Sequence, residues 1–203
     1  MSQQNYIDKL RRALEADGGS LAFPFVRSAV IVPLLIRDGT VEIVFELRSR
    51  HLRRSPGEVG FPGGRIEAGE NPWQAALREL EEELGVPGDQ VEYLGQLPEQ
   101  QRRRNELVVP FVAGIGSDAV LQPDGIEVEE VFTLPLDHLL GNEMRQARIV
   151  EWHTLSEDFP LSYLPGGVWN RTESRTLYYL IYRDYLIWGL SANILRRLVQ
   201  LIR

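Results

Sequence analysis

The sequence predicts an α/β fold, because strand and helix patterns are interspersed along its 203 residues. Residues 27–36 form an apolar run typical of a buried strand, and residues 41–48 alternate as a second strand. Residues 72–84 lie between good helix-capping residues, and an amphipathic helical pattern follows residue 191. A chain of this length fits one domain and can bury a sizeable core.

Composition and charge narrow the class of protein. The chain contains 43% hydrophobic and 25% charged residues, as in ordinary soluble globular proteins. Its net charge of −7 argues against a nucleic-acid polymer as the main partner, because counterion release needs a basic surface. The absence of cysteine excludes disulfides and thiol catalysis and fits a reducing compartment. With no apolar signal core and no apolar run that could span a bilayer, we expect a cytoplasmic protein without membrane contact.

Residues 1–20 are predicted to form an N-terminal helix outside the main domain, which spans residues 21–203. Glycines at 18 and 19 should end this helix. Acidic residues dilute its basic face, so membrane contact is the weaker interpretation. The apolar side is made of Tyr6, Ile7, Leu10, Ala13 and Leu14.

The two strands at the start of the domain should form a hairpin, because residues 37–40 contain an Asp-Gly turn signal. The loop at 51–63 follows and ends in the glycine-rich run Gly57-Glu58-Val59-Gly60-Phe61-Pro62-Gly63 before Gly64. So many glycines indicate tight turns or a close approach of the backbone to a ligand. The alternative is a plain connecting loop.

Residues 71–85 carry the clearest helix signals. Asn71 suits the N-cap, Pro72 the first helical position and Gly85 the residue after the last turn. One side is apolar, with Trp73, Leu77, Leu80 and Leu84, and an adjoining side brings together Glu79, Glu82 and Glu83. Clustered carboxylates repel one another and suit a hard divalent cation such as Mg²⁺. A solvated acidic face is the alternative.

The rest of the chain is predicted to be strand-rich. A polar loop is expected at 100–105, a short helical turn at 137–140, and Ser191 should cap the closing helix. Strands are expected at 91–97, 107–115 and 127–136, a strand pair at 143–155, a turn-rich loop at 163–170 and further strand at 176–188.

The segment from Gly64 to Val86 resembles the Nudix box, G-x5-E-x7-R-E-U-x-E-E-x-G-U, in which U is aliphatic. The resemblance implies a Mg²⁺- or Mn²⁺-dependent hydrolase of nucleoside diphosphate derivatives, built as an α/β/α sandwich with a mixed sheet. The fixed positions are all matched, by Gly64, Glu70, Arg78, Glu79, Leu80, Glu82, Glu83, Gly85 and Val86.

The resemblance also implies a metal site. Glu79, Glu82 and Glu83, with the Gly63 carbonyl, would hold the cation against the diphosphate. Either Glu79 or Glu82 would take the proton from the attacking water, and the sequence does not choose between them.

Four further residues have implied roles. Arg78 and Glu70 would form an internal ion pair that orients the glutamates. Family members often add a carboxylate from a later strand, for which Glu127 and Glu130 are candidates, with solvent-facing positions as the alternative.

Upstream of the box, Arg48, Ser49, Arg53, Gly57 and the run Phe61-Pro62-Gly63-Gly64 match most of the pattern L-L-T-x-R-(S/A)-x3-R-x3-G-x3-F-P-G-G. In this the stretch resembles the signature that precedes the Nudix box in coenzyme A pyrophosphatases. Glu46 stands where threonine is usual. The resemblance implies hydrolysis of coenzyme A or its derivatives to 3′,5′-ADP and (acyl-)4′-phosphopantetheine. The expected substrate contacts are Arg48, Arg53, Gly57 and Phe61, since arginine forks suit phosphate.

Other functions stay open at this point. The loop at 100–105 carries Arg102, Arg103 and Arg104, which either bind a phosphate or are solvated. The alternative enzyme substrates are ADP-ribose, NADH and noncanonical nucleoside triphosphates, and a ligand-sensing Nudix domain is the third interpretation. The partner is expected to be a small molecule, and a homodimer is compatible with the sequence.

Overall fold

The computed structural model describes residues 26–37, 39–103, 105–156, 158–164, 166, 169 and 171–203, with isolated residues 9, 11, 12 and 15 before them. Those four isolated residues are helical. The rest of the helix expected over residues 1–20, and the boundary expected after it, lie outside the described residues.

A mixed sheet of eight strands organises the described part of the chain. Its path is β3-β2-β1-β7-β5, with β4 beside β1, β6 beside β7 and β8 beside β2. Strands β1 and β7 are parallel, whereas the other pairs are antiparallel. The strands are β1 (Val26–Arg37), β2 (Thr40–Arg48), β3 (Val59–Gly60), β4 (Gly63–Arg65), β5 (Val91–Gln96), β6 (Gln100–Arg103), β7 (Glu106–Ile115) and β8 (Val128–Pro135).

Three helices and a smaller sheet complete the described fold. The second sheet has the strand order β11-β10-β9, and short 3₁₀ turns lie at Gly88–Gln90 and Leu161–Tyr163. The remaining elements are α1 (Pro72–Leu84), α2 (Leu136–Gly141), α3 (Gly189–Ile202), β9 (Arg145–His153), β10 (Arg171–Tyr182) and β11 (Tyr185–Trp188). No helix among the described residues is both long enough and apolar enough to cross a membrane.

The large sheet has a core on each face, because successive side chains of a strand point to opposite sides. On β1, Ala29 and Ile31 pack in the cluster that contains α1, whereas Val30 and Val32 pack in the cluster that contains α3. The predicted α/β/α sandwich with a mixed sheet is therefore confirmed.

Three local predictions were wrong. The polar loop at 100–105 contains β6, because Gln100–Arg103 pair with β7 through their backbones on an exposed sheet edge. Residues 143–155 contain one strand, β9, and not a strand pair, since its partner is β10. Ser191 does not cap α3: the helix begins at Gly189, and the buried Ser191 hydroxyl donates to the Val59 carbonyl at 3.1 Å.

Candidate active site

Helix α1 carries most of the predicted site, and its start is set by local capping. The Asn71 side chain accepts from the Gln74 N–H, and the Gln74 side chain accepts from the Asn71 N–H, both at 3.0 Å. Pro72 occupies the first turn, and Gly85 ends the helix in the left-handed region at φ 68°. These caps confirm the predicted helix and its limits.

The three predicted metal-binding glutamates of α1 fall into two environments. Glu79 and Glu82 both accept from Arg78 Nη1, at 2.9 and 3.0 Å. Glu83 is only 4% exposed, and its Oε2 accepts from the Gly63 N–H at 2.9 Å. Glu83 therefore lies under the helix against β4, while Glu82 remains largely exposed.

The glycine turn before α1 brings backbone directly against these carboxylates. A Cβ on Gly64 would overlap the Glu79 carboxylate. Glycine is therefore required here because the carboxylate lies so close to the backbone. A Cβ on Gly63 would overlap the Ala29 carbonyl and the backbone of Val30. The contact that Gly63 makes is through its amide to Glu83, and the metal bond expected of its carbonyl stays a prediction.

Arg78 links the carboxylates of this region. The expected ion pair with Glu70 is present, with Nε to Oε1 at 2.8 Å, and Arg78 Nη2 also donates to the Arg65 carbonyl at 3.1 Å. The hydrogen bond to Glu70 raises the pKa of Arg78, and the same bond lowers the pKa of Glu70. Burial raises the pKa of Glu79, although Arg78 opposes the shift.

Arg48 reaches the same cluster from the end of β2. Its Nη1 lies 3.4 Å from Glu46 Oε1 and 3.8 Å from Glu83 Oε1, and its Nη2 lies 3.6 Å from Glu127 Oε2. The guanidinium is thus shared among three carboxylates at the edge of the site. Of the two arginines predicted as phosphate contacts, Arg53 is exposed on the loop that follows β2.

Glu46 is a carboxylate of this cluster that sequence reasoning missed. It is 1% exposed, and burial raises its pKa, with Arg48 opposing the shift. Burial, and then the neighbouring Glu46 charge, also raise the pKa of Glu83. The alternation of β2 was an available signal: Val44 packs on the α1 side, so Glu46 two residues later faces the same side.

The loop before β8 places Glu127 beside this cluster. The Asp124 N–H donates to the Glu83 carbonyl at 3.1 Å, which ties the loop to the end of α1. The Asp124 carboxylate accepts from the N–H groups of Ile126, Glu127 and Val128. Burial acts to raise the pKa of Asp124, but these backbone hydrogen bonds outweigh it and lower the pKa. Asp124 therefore orders this loop, and the run Pro123-Asp124-Gly125 is a turn signal that the sequence already carries.

Two predicted site residues lie elsewhere. Glu130 shares the side of β8 with Phe132, which packs in the α3 core, and Glu130 Oε1 accepts from the Tyr185 hydroxyl at 2.7 Å. Phe61 is 6% exposed and stacks on Phe45 with ring centroids 4.8 Å apart. The sheet thus separates Glu130 from α1, and packing occupies the Phe61 ring that was expected to contact substrate.

The loop from 49 to 58 brings the other predicted substrate residues near the edge of the site. Gly57, in the left-handed region at φ 67°, donates its N–H to the Arg48 carbonyl at 3.0 Å. Arg102 on β6 donates to Ser55 Oγ at 3.1 Å and pairs with Glu106 at 3.5 Å. Arg102 therefore contacts the loop from 49 to 58 through Ser55. Arg104 and the side chain of Arg103 lie outside the described residues.

The donor set fits a hard divalent cation. Among the described residues no three histidine, aspartate or glutamate side chains stand in a ready-made ligand arrangement. The glutamates of α1 instead accept hydrogen bonds from Arg78 and from the Gly63 amide. The available atoms are nevertheless carboxylate oxygens with excess negative charge, and Glu46 Oε2 is buried without a hydrogen-bond donor. Oxygen donors of this kind suit Mg²⁺ or Mn²⁺.

A glutamate-rich helix that meets a glycine turn on one face of a mixed sheet is the arrangement that the Nudix box predicts. The chain belongs to the Nudix family: the model of the NUDIX domain matches residues 25–153.

Relatives with known names support this membership. Nudix hydrolase 3 of Caenorhabditis elegans is 33% identical over 178 residues, which cover 86% of this chain and 72% of that protein. Peroxisomal coenzyme A diphosphatase NUDT7 of Mus musculus is 37% identical over 142 residues, which cover 68% of this chain and 60% of that protein. A MutT/nudix family structure from Enterococcus faecalis has the same fold, with a TM-score of 0.53 at 14% identity, covering 100% of this chain and 70% of that one.

Proposed function

We propose that this Nudix hydrolase cleaves the diphosphate of coenzyme A or one of its derivatives, giving 3′,5′-ADP and (acyl-)4′-phosphopantetheine. The observation that carries the proposal is the contact of Arg48, from the coenzyme A-type stretch, with box residue Glu83 at 3.8 Å and with Glu127 at 3.6 Å. A guanidinium at this edge can donate two parallel hydrogen bonds to a phosphate. The likeness to a mouse protein named as a coenzyme A diphosphatase supports the same substrate.

The reaction consumes one water, whose oxygen forms a new bond to phosphorus while the bridging P–O bond breaks. Glu79 or Glu82 takes the proton from that water. Both carboxylates accept from the same Arg78 nitrogen, so each starts in a fixed orientation. Glu70 in turn holds Arg78, which makes this pair positioning residues for the proton acceptor.

The proposed cofactor is Mg²⁺ or Mn²⁺, held by Glu79, Glu82 and Glu83 with the Gly63 carbonyl. A divalent cation bound here supplies neutralisation of the diphosphate charge and makes water more acidic. Glu127, whose carboxylate lies beside Arg48, is the further carboxylate that we propose for this site.

Coenzyme A carries a 3′-phosphate in addition to its diphosphate, and the loop from 49 to 58 is the proposed place for it. Arg53 is exposed on this loop, and Arg102 contacts the loop through Ser55. Two arginine side chains near the 3′-phosphate would favour coenzyme A over nucleotides that have no 3′-phosphate.

We extend the proposal to a cytoplasmic enzyme whose partner is a small molecule and not a nucleic-acid polymer. The net charge of −7 argues against a nucleic-acid polymer as partner, because polyanion binding needs a basic surface. The absence of cysteine fits a reducing compartment.

Product analysis tests the proposal. The protein is incubated in Mg²⁺ or Mn²⁺ with coenzyme A, acetyl-coenzyme A, ADP-ribose, NADH and a noncanonical nucleoside triphosphate, and products are identified by mass. We expect the highest kcat/KM for a coenzyme A species, with 3′,5′-ADP as a product. A higher kcat/KM for any rival substrate overturns the assignment, and metal-dependent binding without turnover of any diphosphate would indicate a sensor.

A further inference from the structure

Glu46 is the buried carboxylate of β2 that no part of the Nudix box accounts for. Its strand partner on β3 is Gly60, where an added Cβ would come within 3.3 Å of Glu46 Oε1. The Glu46 side chain therefore lies over Gly60 on the face of the sheet. It is 1% exposed. It shares the side of β2 that packs against α1, so it faces the helix that bears Glu83.

The charges around Glu46 are unbalanced. The Glu46 and Glu83 carboxylates are neighbours, and both are almost fully buried. Arg48 lies 3.4 Å from one Glu46 oxygen, but the same guanidinium is shared with Glu83 and Glu127. Glu46 Oε2 has no hydrogen-bond donor. A buried carboxylate without a full complement of partners is unfavourable unless a proton, as in the metal-free protein, or a bound cation compensates it.

We propose that Glu46 is an additional ligand of the divalent-cation site, contributed from the sheet beside Glu83. The inference rests on the metal-dependent function proposed above. Glu46 Oε2, the oxygen that lacks a hydrogen-bond partner, is the atom that would bind a hard cation. The coenzyme A-type signature has threonine at this position, so this chain holds its cation with one carboxylate more than that signature provides.

Metal binding without substrate tests this role directly. Mn²⁺ is titrated into metal-free protein and followed by calorimetry and by loss of the free Mn²⁺ electron paramagnetic resonance signal. We expect Glu46→Gln to weaken Mn²⁺ binding at least about tenfold, the lower end of what losing a metal-site partner does. The matched control is Glu42→Gln, because Glu42 lies on the same strand and the same side four residues away, and it should bind as the wild type does.

A second variant separates ligation from charge alone. Glu46→Asp keeps the negative charge but withdraws the oxygens by one methylene. Ligation predicts that both Glu46→Asp and Glu46→Gln weaken Mn²⁺ binding, whereas a purely electrostatic effect would leave Glu46→Asp like the wild type. Wild-type affinity in either variant overturns the proposal.

Thermal unfolding provides a readout that is independent of turnover. In EDTA, Glu46→Gln should melt at the same temperature as the wild type or higher, because it removes a buried charge. Saturating Mn²⁺ should then raise the melting temperature of the wild type more than that of the variant. A variant that melts lower in EDTA and gains as much from Mn²⁺ would show a structural role and overturn the inference.

The two proposals can fail separately. If the wild type hydrolyses coenzyme A and Glu46→Gln binds Mn²⁺ normally, the role of Glu46 is refuted and the function stands. If Mn²⁺ binding depends on Glu46 but no coenzyme A species is cleaved, the ligand role stands and the substrate is refuted. If wild-type protein binds no Mn²⁺, both fall.

Discussion

Alanine at Gly64, which opens the box, should mainly impair catalysis, whereas alanine at the preceding Gly63 should mainly impair folding. The three atoms nearest to an alanine Cβ at position 64 all belong to the Glu79 carboxylate, the far end of a flexible side chain. Glu79 can swing away at a conformational cost of about 0.5–1.5 kcal/mol, but it then gives up its charged hydrogen bond to Arg78. Because Arg78 keeps Glu70 and Glu82 as partners, the lost hydrogen bond costs a net of about 0.5–1.5 kcal/mol. With the rotamer cost, Gly64→Ala should lose about 1–3 kcal/mol of stability and still fold.

At position 63, an alanine Cβ would instead meet backbone atoms of Ala29 and Val30. This Cβ would lie 2.6 Å from Val30 Cα, in a strand pair that cannot move independently of the sheet. Overpacking of this kind costs about 1–3 kcal/mol, and occasionally more. Gly63 also has a φ of 155°, where alanine adds backbone strain of about 1–3 kcal/mol, whereas Gly64 has no positive φ. We expect Gly63→Ala to be the less stable variant, and Gly64→Ala to lose about 10–100-fold in kcat while remaining folded.

Urea unfolding in EDTA measures the two stabilities, and initial rates of diphosphate hydrolysis at saturating metal measure kcat. Wild-type kcat in Gly64→Ala would show that the position of the Glu79 carboxylate does not matter and would refute the reasoning. A Gly63→Ala protein as stable as the wild type would refute the packing argument. Gly69→Ala, where an added Cβ meets no atom but the positive φ remains, controls for backbone strain alone.

Three further predictions concern the cap, the core and pH. Asn71→Ala should lower the free energy of unfolding by about 1 kcal/mol in urea, because it removes the reciprocal cap. Phe61→Ala should lower the free energy of unfolding by about 3–5 kcal/mol, also measured by urea unfolding, because the Phe61 ring is buried against Phe45. Metal-free protein should lose stability as pH rises from about 5 to 8. Burial raises the folded-state pKa of Glu46 and of Glu83 above the ordinary 4.5, so the folded chain retains protons that the unfolded chain releases. Thermal melts across this range check the sign.

Each of these predictions has a matched control. Asn71→Ser keeps a capping oxygen and should retain most of the stability that alanine loses. Phe61→Leu should cost less than Phe61→Ala, and a large change in KM without loss of stability would instead support direct substrate contact. Glu46→Gln should flatten the pH dependence in EDTA, and stability that rises over the same pH range would contradict the assigned shifts.

Local features of the chain were predictable to within a residue or two. The caps at Asn71 and Gly85 act within one turn, so the predicted limits of α1 agree with the structure. Strand β6 was missed because its polar residues show no burial pattern, and the strand exists through backbone pairing with β7. Ser191 was misassigned because a good capping residue also fits inside the first turn when the helix begins earlier.

The sequence by itself determined the family, the chemistry of the carboxylates and the ion pair of Arg78 with Glu70, since spacing along one helix decides which side chains meet. Only the tertiary structure decided which other residues join them. Strand register brought Glu46 beneath α1 and turned Glu130 to the opposite core, and the loop ordered by Asp124 delivered Glu127 to Arg48. These contacts join residues distant in sequence, and a shift of one residue in a strand would exchange the two faces.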